Sequence, residues 1–142
     1  MSDPALALQN AMETALRAST ALKTAMGLAS VRLYKVSAPV GAPFPYLVIG
    51  EDQIIDDSTE CAESSEVITS VHVWTRVDSD VQASRAQAKS IAGAIRPIIK
   101  ALSGVAGFSV TLSDFEGTRH LTDPDGLTCH SVVTHRLLLD PA

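Results

Sequence analysis

Aromatic side chains are scarce. Three Phe, two Tyr and one Trp make up 4% of 142 residues, too few for a surface that stacks successive bases. Cations are also in the minority: 11 Lys and Arg against 16 Asp and Glu leave a net charge of −5. A grip on nucleic acid needs clustered cations that displace counterions, so this balance argues against one. No run approaches the ~20 apolar residues that span a bilayer. The opening segment is partly apolar, but Asp3, Gln9 and Glu13 interrupt it and no basic stretch precedes it, unlike a secretory signal. Only two cysteines occur, Cys61 and Cys129, far apart and in neither a CxxC nor a framework pattern. The expectation is reduced thiols in a cytosolic compartment, with a Cys61–Cys129 bridge as the alternative. There is no fixed-period repeat and no low-complexity tract.

What remains is an ordinary globular composition, 46% hydrophobic and 19% charged. The length suits one domain, residues 1–142, and a chain of this size buries roughly 68% of its unfolded surface without staples. Pro4 to Met26 holds no internal Pro or Gly. Leu8, Met12, Ala15, Leu22 and Met26 recur on one helical face, Ser2 or Asp3 can cap the start, and Gly27 stands where a left-handed C-terminal cap belongs. Val31–Val36 alternates as a strand. The loop Ser37–Pro45, with three prolines and a glycine, excludes helix and central strand. Tyr46–Ile55 reads as a strand with a bulge or close approach at Gly50. Glu66–Arg76 alternates cleanly, with Val67, Thr69, Val71 and Val73 on one face and Ile68, Ser70, His72 and Trp74 on the other.

Asp78–Asp80 offers caps for a helix whose apolar stripe is Val81, Ala88, Ile91, Ala92, Ile95, Ile99 and Leu102. Pro97 should kink or loosen its last turn. Phe108–Gly117 is a strand that Thr118–Leu121 can extend. Asp123-Pro124-Asp125-Gly126 is a turn, and Thr128–Leu139 closes the sheet. The order α-β-β-β-α-β-β predicts an α+β fold: two helices on one face of a mainly antiparallel sheet, with a long protruding hairpin.

No catalytic constellation stands out. His72, His120, His130 and His135 form no pair at metal spacing: His130 and His135 are five apart on one strand and point to opposite faces, and His72 lies on another. Asp123, Asp125 and His120 suggest acid–base work by a small enzyme, but turn chemistry accounts for both carboxylates. Neither GxSxG, GxGxxG nor GxxxxGK[ST] occurs. No cofactor is implied. Charge is more informative. Glu51, Asp52, Asp56, Asp57, Glu60, Glu63 and Glu66 crowd one span that contains no cation, while Arg85, Lys89, Arg96 and Lys100 lie along one helix face. Two solvated faces are the plain reading. The functional ones are contact between identical subunits, with Asp56, Asp57, Glu60 and Glu63 on one side and Arg85, Lys89 and Arg96 on the other, or an acidic channel wall that DNA passes without sticking.

Three segments together resemble the tail-completion, or tail-terminator, proteins of long-tailed phages, prophages and gene transfer agents. They are Gly41-Ala42-Pro43-Phe44-Pro45-Tyr46-Leu47-Val48-Ile49-Gly50; Val71-His72-Val73-Trp74-Thr75-Arg76, followed by the helix holding Ala88-Lys89 and Ile91-Ala92; and Arg119-His120-Leu121-Thr122-Asp123-Pro124-Asp125-Gly126-Leu127-Thr128-Cys129-His130. The resemblance covers essentially the whole chain in order and spacing. It implies a structural virion protein without catalytic residues or cofactor, one that caps the finished tail tube and helps join tail to head. It also implies a ring of identical subunits, commonly a hexamer, in the virion tail, assembled in the host bacterial cytoplasm. Its partners would be the tail tube protein and the head–tail connector proteins, with DNA passing through unbound and no membrane contact. A head-side adaptor ring is the rival within this class. The Glu51–Glu66 connector is longer and more polar than is typical of the family, which leaves lumen and subunit contact both open for it.

Overall fold

The computed structural model describes residues 3–142. Ser2, one of the two caps expected for the first helix, lies outside them. Asp3 takes that role, its Oδ1 accepting from the Ala5 N–H at 2.7 Å. The elements are α1 (Ala5–Ala18), α2 (Thr20–Met26), β1 (Leu33–Tyr34), β2 (Tyr46–Asp56), β3 (Ser65–Thr75), α3 (Val81–Lys100), β4 (Phe108–Thr122) and β5 (Cys129–Pro141). One five-stranded sheet runs in the order β1-β2-β3-β5-β4. It is antiparallel except for β1 against β2. The α+β architecture and the hairpin are as expected from the sequence.

Two expectations need correction. The first helix is not continuous: Ser19 is extended (φ −78°, ψ 116°) and its Oγ accepts from the Leu22 N–H at 3.1 Å, so it closes α1 and caps α2. A short hydroxyl side chain competes with the helical ladder in this way, and nothing in the apolar spacing betrays it. There are therefore three helices among the described residues, with Gly27 ending α2 in the left-handed conformation (φ 69°). The strand expected over Val31–Val36 shrinks to Leu33–Tyr34, because the chain then leaves for the proline-rich loop. Arg32 fastens that loop by donating to the Pro43 and Pro45 carbonyls at 2.9 and 3.0 Å.

All three helices cover one face of the sheet. Leu8, Met12, Leu16, Leu22 and Met26 from α1 and α2 join Ile91, Ile95 and Ile99 from α3 over Leu47, Ile49, Val67, Val71, Val73, Val133, Leu137 and Leu139 in one core. The inward face of β3 is the one its alternation predicts, with Val67, Thr69, Val71 and Val73 all buried. Asp80 caps α3 through the Ala83 N–H at 3.0 Å, and the helix passes through the exposed Pro97 to end at Lys100. Glycine is required at position 50, where the β2–β3 register slips: a Cβ there would run into the His72 ring.

Candidate functional site

The acidic hairpin is a built structure. Beyond the last β2–β3 pair, Asp56 with Ser65, the Asp57 N–H donates to the Ser64 carbonyl (2.9 Å) and the Thr59 N–H to the Ala62 carbonyl (2.8 Å). Asp56 Oδ1 accepts from the Ser58 N–H at 3.0 Å, and the hydrogen bonds from Ser58 hold its carboxyl below the usual range. Two acids of the span are engaged within the chain: Glu66 pairs with Arg136 at 2.7 Å, and Glu51 Oε1 lies 3.0 Å from His72 Nε2. A third, Asp52, accepts from the Thr69 hydroxyl, and burial raises its carboxyl above the usual range. Asp56, Asp57, Glu60 and Glu63 are exposed and pair with no cation among the described residues.

The cations of α3 lie elsewhere. The helix packs over β5, β4 and β3, and the sheet order puts β4 and β2 on opposite sides. The structure therefore does not bring the acidic and basic sets together within one chain. Arg85 is engaged with the Thr122 hydroxyl, and its buried Nε has no partner. Lys89 is exposed near His120, where it and Arg85 add to burial in lowering the His120 pKa. Arg96 lies over the Phe115 ring, 3.6 Å from its centroid. None of these three, nor Lys100, pairs with a carboxylate among the described residues.

The acid–base trio dissolves into structural roles. Asp125 Oδ1 accepts from the Leu127 and Thr128 N–H groups, both at 2.8 Å, and Oδ2 accepts from the Thr128 hydroxyl at 2.7 Å. These bonds hold the carboxyl down to about 2, the ionised clasp of a turn. Gly126 takes a left-handed φ of 71° in the same turn. The Asp123 N–H closes the turn onto the Thr128 carbonyl at 2.8 Å. His120 Nδ1 faces the Ser131 hydroxyl at 2.6 Å rather than a carboxylate. The two cysteines are free, Cys61 exposed on the hairpin and Cys129 buried at the opposite end of the sheet.

The helix-free face holds a cluster the sequence did not disclose. Its aromatic row crosses three strands: Phe44 on Tyr46 (5.4 Å between centroids), Tyr46 beside Trp74 (6.4 Å) and Trp74 flat against His130 (3.8 Å, 10°). His72 Nδ1 meets His130 Nε2 at 2.7 Å. Burial, and then the charge of His72, lower the His130 pKa. Tyr46, Trp74, His72 and His130 line a groove of about 610 Å³ together with Lys35, Val36 and Glu51. Spacing along the chain hides the His pair, because it arises only when β3 and β5 align Trp74 with His130 and His72 with Val132. No three His, Cys, Asp or Glu side chains group to hold a metal ion among the described residues.

Comparison with known proteins gives the class. The family model described as tail completion protein gp17 matches residues 10–140. A chain in the solved structure of the virion of a native gene transfer agent particle is similar in fold, with a TM-score of 0.77 and 21% identity over 99% of each chain. No curated protein matches.

Proposed function

From the premise that the chain belongs to the tail completion protein gp17 family, a family of structural virion proteins and not of enzymes, we propose that it closes the finished tail tube as a ring of identical subunits and helps join the tail to the head. The family match over residues 10–140 is the observation that carries this reading. Likeness in fold to a chain of a gene transfer agent virion supports it, because that chain belongs to an assembled particle.

The charge layout supports a ring in particular. Asp56, Asp57, Glu60 and Glu63 stand on the β2 side of the sheet, and Arg85, Lys89 and Arg96 on the β4 side. Opposite patches on opposite flanks favour head-to-tail contacts, which close into a ring when the rotation between copies permits. Tail tube protein below and connector proteins above are the partners this role requires, with assembly in the host bacterial cytoplasm. A net charge of −5 suits a part that lets DNA pass without holding it. Particles made without this protein are expected to show tails of abnormal length, or tails separate from heads, in negative-stain images. Normal joined particles would refute the role.

A further inference from the structure

Beside the end of α3 lies a notch of about 350 Å³ lined by Gly93, Arg96, Pro97, Lys100 and Phe115. It offers two cations over an aromatic and aliphatic floor, and no carboxylate lines it. Arg96 is already positioned, its guanidinium stacked on Phe115. Lys100 is exposed and free of carboxylates among the described residues.

The height of this notch along the strands is fixed by the register. The Ser113 hydroxyl donates to the Ile99 carbonyl at 2.8 Å. Ser113 pairs with Leu137, Leu137 with Val67, and Val67 with Ile54. Phe115 likewise traces through His135 and Thr69 to Asp52. The notch is therefore level with Asp52–Ile54, just below the point where the hairpin leaves the sheet at Asp56. Arg85 touches Thr122, which traces through Cys129 to Thr75 at the other end. Rotation about an axis along the strands keeps every group at its own height. A neighbour placed that way holds the base of its hairpin near the height of Arg96 and Lys100 and far from that of Arg85.

We propose that this notch receives the carboxylates of the hairpin, Asp56, Asp57, Glu60 and Glu63, from a second copy of the chain. The proposal rests on the ring reading above and narrows it. Arg96 and Lys100 carry the contact, and Arg85 serves its own fold. The apolar floor lowers the local dielectric, so each ion pair formed there is stronger than one in open solvent.

Zero-length carbodiimide coupling of assembled particles tests this, because it joins only an amine and a carboxylate already in contact. Mass spectrometry of the digest is expected to find Lys100 joined to one of the four hairpin acids. Particles assembled from mixed light and isotopically heavy copies identify such a link as one between subunits, by linked peptides of which one is light and the other heavy. Lys100→Glu is expected to lower the yield of joined particles by about tenfold or more, and Glu60→Lys together with Glu63→Lys to recover part of it. Copies linked to one another only through other lysines would overturn the notch and leave the ring standing. An absence of any link at Lys100 would likewise overturn the notch, while the ring reading is refuted separately, by normal joined particles made without the protein.

Discussion

His135 makes the stability of this domain depend on pH in a way that can be worked out beforehand. The residue is 1% exposed. It lies between Thr69 of β3 and Phe115 of β4, with its Nε2 unpartnered. Burial lowers its pKa from 6.5 to about 4, against a weaker upward pull from a hydrogen bond with the Arg96 backbone. The folded form therefore binds this proton less readily than the unfolded chain does. Stability falls as pH drops below 6.5, and the loss is complete below about pH 4. A shift of this size corresponds to roughly 3 kcal/mol at that limit, and about 2 kcal/mol is already lost between pH 7 and 5. His120 and His130, also lowered, add in the same direction. Asp125 contributes its own loss only under about pH 4, and comparing a His135 variant with the parent cancels what the other groups add.

Urea unfolding followed by far-UV circular dichroism at pH 7 and pH 5 reads the effect. Tryptophan fluorescence is the poorer probe, since Trp74 stacks on His130, which titrates itself. His135→Leu removes the titrating ring and the orphaned nitrogen together. At pH 7 it is expected to lie within about 1 kcal/mol of the parent protein. Between pH 7 and 5 it should lose about 2 kcal/mol less than the parent, a difference of roughly 1 M in urea midpoint for a slope near 2 kcal/mol/M. Equal losses in variant and parent would refute the burial argument.

Two local devices have equally direct consequences. Gly50→Ala puts a Cβ against the His72 ring. The ring must swing away from His130, at an expected cost of about 1–2 kcal/mol in chemical unfolding, and the imidazole NMR signals of both histidines should move. Ser19→Ala removes the cap of α2, which should cost about 1 kcal/mol and speed amide exchange across Thr20–Met26 while leaving α3 unchanged.

Much of this fold can be read in the chain because local chemistry and tertiary structure agree. The alternation through Val67–Val73 predicts the buried face of β3 because that strand is paired along its full length with β5 and along most of it with β2. Gly27 and Gly126 mark ends that need positive φ, and both adopt it. Agreement fails where a residue's role depends on a distant partner. Ser19 follows fourteen residues without Pro or Gly after Pro4, yet its hydroxyl prefers capping to helix continuation. His72 and His130 meet only through strand register, and Gly50 is what leaves room for the His72 ring. Of the candidate contact residues, the four hairpin acids are as exposed as their composition suggests. Arg85 is not a free cation, because Thr122 and a buried Nε claim it.

The separation of charge follows from one topological choice. β5 enters the sheet between β3 and β4, which carries β4 and the outer face of α3 away from the β2–β3 hairpin. A pair of opposite charges at 4 Å in water is worth about 1 kcal/mol, so a fold allowing Asp56–Glu63 to meet Arg96 and Lys100 within one chain would gain a little at each contact. This fold forgoes that gain and leaves both sets solvated. A monomer draws nothing from the arrangement. In the proposed ring identical neighbours would, since each would present to the next the charge it lacks, and such contacts would repeat until no unpaired flank remained.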